Sequence, residues 1–216
     1  MEAVKYSFTI TYIFLLTTAT ITFIEAMRTS NPTARHILNI ETAISLIAGY
    51  FYSLFVEKIN ARGSVPYNEI TVLRYVDWAM TTPLMLLVLA MFLSNHVKKE
   101  LKLSLLLAIL GLNYAMLYAG YLGEVGQLER WTAWGIGFAA FFGMFGLLYN
   151  AFLTIKCHLS NYIIFSIFVG LWSLYGAFYL ADEVTKNVGM NMLDLFAKCF
   201  VGIGIWAYFS KIFVLG

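Results

Sequence analysis

The stretch Arg74-Tyr-Val-Asp77-Trp-Ala-Met-Thr81-Thr-Pro-Leu-Met85-Leu-Leu decides how this sequence folds, because it places two charges inside a long apolar run. That run covers about residues 68–94. A helix needs about 20 such residues to cross the hydrocarbon core of a bilayer. A charge at that depth is costly, so Arg74 and Asp77 indicate a functional site.

Six more apolar stretches complete a membrane protein. Charged residues make up 12% of the chain and hydrophobic residues 61%, whereas soluble domains carry about 25% charged residues. We predict an all-α fold, a seven-transmembrane-helix bundle forming one domain over 1–216, integral and multi-pass, with the lipid bilayer as partner and no nucleic acid. The first stretch is long and no small-residue cleavage site follows it, so we expect it to be retained. The other stretches cover about 4–27, 36–57, 101–123, 131–153, 159–181 and 189–213.

Loop charge predicts the orientation of these helices. The connections after the first, third and fifth stretches, with the C-terminus, hold seven cations and two acids, whereas the opposite side holds five cations and seven acids. Because cytoplasmic loops carry the excess of Lys and Arg, we expect the N-terminus outside and the C-terminus in the cytoplasm. The seven cations are Arg28, Arg35, Lys98, Lys99, Lys102, Lys156 and Lys211.

The last stretch contains a second pair of membrane charges, Asp194 and Lys198, four residues apart and therefore on one helix face. A buried lysine can form a Schiff base with a carbonyl compound, and nearby carboxylates would keep it charged. The alternative is a salt-bridge network that only joins the third and seventh helices. The cysteines, Cys157 and Cys199, are predicted to be free, and three histidines without ligand spacing predict no metal site.

Several of these segments resemble the microbial (type I) rhodopsins. The segment 74–87 is similar to their third helix, and Leu193-Asp-Leu-Phe-Ala-Lys198 to their retinal-lysine segment. The resemblance extends to the fourth, fifth and sixth helices through Asn113, Met116, Gly120, Trp134, Gly137, Phe141, Trp172, Tyr175 and Tyr179.

The resemblance implies a cofactor and residue roles. All-trans-retinal would be bound covalently by Lys198, with Asp77 as counterion and proton acceptor and Asp194 as second counterion. Arg74 would lie just outside them, and Thr81 would hydrogen-bond near Asp77. The chain would be no enzyme. Without this resemblance, the aromatic residues could equally be ordinary core packing. The implied pocket consists of Trp78, Thr82, Met85, Asn113, Met116, Gly120, Trp134, Gly137, Phe141, Trp172, Tyr175 and Tyr179.

Departures from the family pattern concern the supply of protons. Val88 stands where outward proton pumps of the family place a carboxylic donor, eleven residues beyond Asp77. Glu41, early in the second stretch, is a candidate replacement, although it could instead face lipid headgroups. Trp206 lies two turns beyond Lys198 toward the cytoplasm. It could block or guide the proton path between the cytoplasm and Lys198, or it could anchor the helix at the membrane interface. Gly176 stands where proline is frequent.

Two further groups of charged residues can each be interpreted in two ways. Asp182 and Glu183 are expected to end the sixth helix, where they could release protons or belong to a solvated loop that reaches Lys186. Glu25 and Arg28 could face a neighbouring protomer or mark the membrane boundary. The compact length, Glu41 and the Glu25–Arg28 pair are similar to rhodopsins carried by giant viruses of algae.

The favoured function is a light-driven, outward proton pump. A light-gated ion channel passing protons or other small ions is one alternative, and a photoreceptor acting through a separate transducer is another. The resemblance also implies a homo-oligomer, either a pentamer or a trimer.

Overall fold

A computed structural model describes residues 2–154 and 158–212. Within these residues the chain is all-α, with no strand, and has seven helices long and apolar enough to cross a membrane. The predicted fold class is therefore confirmed, while Lys156 and Cys157 lie outside the described residues. The helices are α1 (Glu2–Arg28), α2 (Pro32–Arg62), α3 (Tyr67–Val97), α4 (Leu103–Glu124), α5 (Arg130–Phe152), α6 (Leu159–Tyr179) and α7 (Glu183–Phe209).

Local sequence signals fix both ends of α2. The Asn31 side chain accepts hydrogen bonds from the backbone N–H groups of Thr33, at 3.0 Å, and Ala34, at 3.3 Å. Pro32 follows at the first helical position, where no N–H is needed. Gly63 ends the helix with a φ of 64°, a left-handed conformation that glycine adopts without steric cost.

Acidic caps begin α5 and α7. Glu129 accepts from the N–H groups of Trp131 and Thr132, and these bonds lower the pKa of its carboxyl. Asp182 accepts from the N–H groups of Val184, at 3.0 Å, and Thr185, at 3.1 Å. The hydrogen bonds from the Thr185 side chain and backbone lower the pKa of Asp182.

The Asp182 cap corrects the prediction for this region. Asp182 and Glu183 begin α7 instead of ending the sixth helix, and α7 starts at Glu183, not at 189. Lys186 is a buried helical residue whose Nζ lies 2.7 Å from Glu183, so the predicted solvated loop is wrong. The apolar pattern missed this first turn and a half because it is polar, although its cap makes it helical.

Pro83 lies inside α3 without ending it. Proline has no N–H, so the carbonyl four residues earlier, that of Ala79, loses its helical donor. The Tyr114 hydroxyl donates to that carbonyl oxygen at 3.2 Å. A side chain of α4 thus supplies the hydrogen bond that Pro83 removes.

Lys198 sits in a widened turn of α7. Residues Leu195–Phe200 form a π-helical segment between two α-helical parts, Glu183–Asp194 and Val201–Phe209. Single π-helical turns inside α-helices are rare and occur frequently at functional sites.

The helices divide into two compact units. Among the described residues, the first holds 2–77 and 171–212, and the second holds 78–154 and 158–170. In the first unit α1 packs along α2 and also against α7; in the second, α4 packs along α5. The core of the first unit is formed by Val4, Phe8, Leu15, Ala48, Phe51, Tyr52, Phe55, Ile59, Ile70, Leu195 and Cys199.

Candidate functional site

The first unit brings Lys198 between two carboxylates. Its Nζ lies 2.8 Å from Oδ2 of Asp77 and 3.6 Å from Oδ2 of Asp194. Lys198 is 1% exposed and both aspartates are 0% exposed. Isolated charges at such depth would be very costly, so each requires an opposite charge and hydrogen bonds.

Two tyrosines complete the environment of Asp194. The Tyr52 hydroxyl donates to Oδ2 and the Tyr175 hydroxyl donates to Oδ1, each at 2.7 Å. Nη1 of Arg74 lies 3.8 Å from Oδ2 of the same carboxylate. Asp194 is therefore held in one orientation by two hydroxyl donors and one guanidinium charge, which come from three other helices.

The Arg74 guanidinium is itself fixed by α7 and by aromatic rings. Its Nη2 donates to Oδ1 of Asn191 at 2.8 Å and to Oδ1 of Asn187 at 3.2 Å. The guanidinium carbon lies 5.4 Å from the ring centroid of Phe8 and 5.6 Å from that of Phe55, within the range of cation–π attraction. We call Arg74, Asp77, Asp194 and Lys198, with Tyr52, Tyr175, Asn187 and Asn191, the counterion cluster.

The counterion cluster extends to α1 through Asn191. Its Nδ2 donates to Oγ of Ser7 at 2.9 Å, and its backbone carbonyl accepts from Oγ1 of Thr11 at 3.1 Å. Two cations and two carboxylates balance in charge, and neutral donors and acceptors surround them. Such a network stabilises a buried positive nitrogen at Lys198 next to a carboxylate that can accept its proton.

Sequence reasoning did not identify Tyr52, Asn187 or Asn191. Asn187, Asn191 and Asp194 follow a helical spacing of four and three residues, which places them on one face of α7. That signal lay partly outside the predicted seventh stretch. Tyr52 carries no motif, so nothing in the sequence marks it.

Glu41 is buried in α2, at 3% exposure, so the alternative in which it faces lipid headgroups is wrong. Its neighbour in α7 is Gly202: a Cβ built on this glycine would lie 3.0 Å from Oε2 of Glu41. No hydrogen bond or ion pair joins the Glu41 carboxyl to another side chain among the described residues. Gly202 follows Lys198 by four residues, about one helical turn toward the end of α7.

The second unit holds the predicted pocket residues of α3, α4 and α5. Nδ2 of Asn113 donates to Oγ1 of Thr82 at 2.9 Å, and that hydroxyl donates to the Trp78 carbonyl at 2.7 Å. A Cβ on Gly137 would lie 3.8 Å from the carbonyl oxygen of Met116, an ordinary contact. The predicted site residues that fall in this unit are Trp78, Thr81, Thr82, Met85, Asn113, Met116, Gly120, Trp134, Gly137 and Phe141.

Aromatic rings in α5 form a row of tilted and edge-to-face contacts within the second unit. The ring centroids of Trp134 and Phe138 are 4.6 Å apart, and those of Phe138 and Phe141 are 5.6 Å apart.

Val88, in α3, is fully buried and supplies no carboxyl. The predicted Trp172 and Tyr179 belong to the first unit, where both are buried.

The donor set around Lys198 fits retinal. A protonated nitrogen attached to a long apolar chain requires a buried position with a carboxylate in contact and few other polar groups. Lys198 meets the first two requirements through its burial and its contact with Asp77.

Comparisons with known proteins agree with this geometry. The model of the family described as bacteriorhodopsin-like protein matches residues 2–212. The crystal structure of the viral rhodopsin OLPVRII is similar with a TM-score of 0.91 and 48% identity, covering 98% of this chain and 99% of that one. The expected resemblance to viral rhodopsins is thereby confirmed.

Curated relatives are more distant. Green-light absorbing proteorhodopsin from a gamma-proteobacterium is 28% identical over 152 residues, 63% of this chain. The chain spans 60% of the length of that relative. Bacteriorhodopsin of Halobacterium salinarum is 28% identical over 205 residues, covering 84% of this chain and 74% of that protein.

Rhodopsins of this kind hold retinal as a Schiff base on a lysine, the role that the sequence predicts for Lys198. The buried lysine and the match over almost the whole chain lead to one conclusion. This chain belongs to the bacteriorhodopsin-like family, the microbial rhodopsins, and is an integral, multi-pass membrane protein whose cofactor is retinal, bound covalently at Lys198.

Proposed function

We propose that this chain is a light-driven proton pump that moves protons outward. The observation that carries the proposal is the 2.8 Å contact between Nζ of Lys198 and Oδ2 of Asp77. At that distance a carboxylate can accept a proton directly from the nitrogen. Retinal, when bound, supplies the absorption of light and the isomerisation that follows it.

The roles of the chain's own groups follow from their contacts. Asp77 receives the proton of the Lys198 nitrogen at its carboxylate. Asp194 is fixed in place by the hydrogen bonds from Tyr52 and Tyr175 and by the nearby Arg74 guanidinium. Asp77, which contacts the Lys198 nitrogen directly, is the carboxylate that changes its protonation.

Glu41 is the proposed source of the returning proton. A carboxyl buried without a cationic partner is stable when it carries its proton. Its contact with Gly202 places it beyond Lys198 along α7, whereas Asn187, Asn191 and Asp194 precede Lys198. Acceptance and donation therefore occur on opposite sides of Lys198, as vectorial transport requires.

The direction of pumping rests on loop charge. With the N-terminus outside, as the excess of Lys and Arg on the other side predicts, the start of α7 lies outside and its end lies on the cytoplasmic side. Glu41 then returns protons from the cytoplasm.

We also propose a homo-oligomer, a trimer or a pentamer, on the strength of the family resemblance. The mass of the detergent-solubilised complex tests this proposal.

A measurement of external pH tests the proposed function. Cells making the protein with added retinal are illuminated in unbuffered suspension, with and without a protonophore, beside cells making Lys198→Ala. We expect acidification under light that the protonophore abolishes and the variant lacks. Coloured protein without any change in pH would contradict pumping and favour a channel or a photoreceptor.

A further inference from the structure

Three buried residues, Thr18, Glu41 and Gly202, meet beyond Lys198 along α7, on the side away from Asp194, and a fourth buried residue, Ser45, lies one turn from Glu41. Thr18 lies in α1, Glu41 and Ser45 lie one turn apart in α2, and Gly202 lies one turn after Lys198 in α7. Thr18 and Ser45 are 0% exposed. We call these four residues the Glu41 cluster; all of them belong to the first unit.

Gly202 is a position of close approach. A Cβ there would lie 3.0 Å from Oε2 of Glu41 and 3.1 Å from Cγ2 of Thr18, distances tighter than nine in ten real Cβ contacts. Gly204, two residues later in the same helix, has nothing within 4 Å of an added Cβ. The missing side chain at Gly202 therefore lets the Glu41 carboxyl reach α7 one turn from Lys198.

The register of α2 against α7 places Ser45 on the way to Lys198. Glu41 adjoins Gly202, and Tyr52 contacts Asp194 at 2.7 Å. Residue number rises along α2 from Glu41 to Tyr52 while it falls along α7 from Gly202 to Asp194, so the two helices run in opposite directions and their intervening residues face one another. Ser45 shares a face with Glu41, and Lys198 lies within the facing segment.

The hydroxyls of Thr18 and Ser45 differ from those of their neighbours. In α1 and α2, Thr17, Thr20, Thr22 and Thr42 all donate to the carbonyl four residues earlier, at 2.8–2.9 Å. Oγ of Ser45 is buried and has no hydrogen-bond partner among the described residues, and Oγ1 of Thr18, also buried, is close to the weakly hydrogen-bonding thiol of Cys199 but bonds to no described oxygen or nitrogen. A buried hydroxyl left without a hydrogen bond destabilises the folded protein, so a partner other than these side chains is required.

Water is the partner that suits such hydroxyls. Buried water typically makes about three hydrogen bonds to polar groups that are otherwise unsatisfied. The Glu41 carboxyl, the Thr18 hydroxyl beside Gly202 and the Ser45 hydroxyl one helical turn from Glu41 supply that number. Water in such a position also transfers protons between groups that do not touch.

We propose that Gly202, Thr18 and Ser45 form the passage through which Glu41 returns a proton to the Lys198 nitrogen. Gly202 positions the carboxyl against α7, and the two hydroxyls hold the water that joins it to Lys198. This inference rests on the proposed role of Glu41 as donor. The three residues are positioning residues, since none of them gives up a proton of its own.

Matched variants separate this passage from ordinary packing. Thr18→Val and Ser45→Ala remove the hydroxyls, and Gly202→Ala displaces the carboxyl. Their controls are Thr17→Val, which loses a hydroxyl bonded to Ile13, and Gly204→Ala, which enters open space. Glu41→Gln serves as the reference for loss of the donor itself.

Two readouts are needed, one kinetic and one independent of the light reaction. After a laser flash, the rate at which the Lys198 nitrogen regains its proton is followed by absorbance. In the dark, with and without retinal, the infrared C=O band of Glu41 is identified by its loss in Glu41→Gln. This band reports the hydrogen bonding of the carboxyl directly.

We expect Gly202→Ala to slow proton return about 10- to 100-fold, because a small displacement of a reacting group costs that much. Thr18→Val and Ser45→Ala should slow it less and move the Glu41 band to higher frequency, since a hydrogen bond is lost. The controls should change neither readout.

The outcomes distinguish the two proposals. If Glu41→Gln slows proton return while the three cluster variants change neither rate nor band, the passage is wrong and the donor stands. If Glu41→Gln leaves the rate unchanged, the donor assignment itself is wrong. If Gly202→Ala does not fold, the two hydroxyl variants still decide the question.

Discussion

The Glu41 cluster lies beyond Lys198 along α7, whereas Asn187, Asn191 and Asp194 of the counterion cluster precede it. The two clusters differ in how their charged groups are paired. In the counterion cluster each charged group lies close to an opposite charge, and tyrosine, asparagine and serine side chains supply further hydrogen bonds. The Glu41 cluster has one carboxyl, two hydroxyls and a glycine, and no described cation pairs with its carboxyl.

This difference separates holding a charge from delivering a proton. A network with many fixed donors keeps its groups ionised and in place. A carboxyl without a cation keeps its proton and can give it up when a base becomes available. Removing parts of each cluster should therefore have effects of different kinds and sizes.

The largest effect is expected from Asp77→Asn, which removes the carboxylate nearest to Lys198. The positive nitrogen loses its closest negative partner, so the absorption maximum should shift to longer wavelength. Light-driven acidification should be lost because the proton has no acceptor. An absorption spectrum and the external-pH measurement check this, with Glu57→Gln, an exposed carboxyl of α2, as control. An unshifted spectrum would show that Asp77 is not the main counterion.

Glu41→Gln should slow the return of the proton to Lys198 without changing the absorption maximum. Glutamine keeps the shape of the side chain but cannot supply the proton, and acid–base groups contribute roughly 10²- to 10⁴-fold to rates. We expect proton return to slow by about 10²-fold with an unchanged absorption maximum. Azide, a small weak acid, should restore part of the rate. A normal rate would remove the functional distinction between the two clusters.

Tyr52→Phe tests how strongly the counterion cluster is held. The change leaves Oδ2 of the buried Asp194 without its 2.7 Å donor. Loss of a hydrogen bond to a buried charged group destabilises a protein by about 1–3 kcal/mol. The temperature at which the pigment bleaches should fall. Tyr50→Phe, with Tyr50 at 61% exposure, is the control and should not change it.

The smallest effect on stability is expected from Asp182→Ala, which removes the N-terminal cap of α7. This helix carries the asparagines and the aspartate of the counterion cluster. The folded pKa of Asp182 is lowered, so its contribution to stability is present above the unfolded pKa. That contribution is lost as pH falls through the folded pKa. Asp182→Ala should lower the bleaching temperature near neutral pH, and the difference from the unchanged protein should vanish in acid. A difference independent of pH would contradict the cap.

Much of the fold follows from the sequence alone. Seven apolar stretches predict seven helices, and the helix-3 and helix-7 motifs predict that Asp77, Asp194 and Lys198 meet. Periodicity cannot show partners on other helices, so Tyr52 and Gly202 were missed. The polar start of α7 was also missed, since hydropathy alone does not register the Asp182 cap that makes it helical.

The sequence predicted the burial of Glu41 only as one of two alternatives. A glutamate near the start of a helix can face headgroups or the interior with the same spacing in the sequence. Burial against Gly202 decides between them. That contact joins residues 161 positions apart along the chain, as 202 minus 41 shows, and no local rule predicts it.

The most direct test of the central claim is the photocurrent of the full chain with retinal, recorded under voltage clamp across a range of membrane potentials. A pump with Asp77 as acceptor and Glu41 as donor predicts an outward current that decreases at negative potentials but keeps its direction. A current that reverses sign with the voltage would contradict the proposal and identify a light-gated channel.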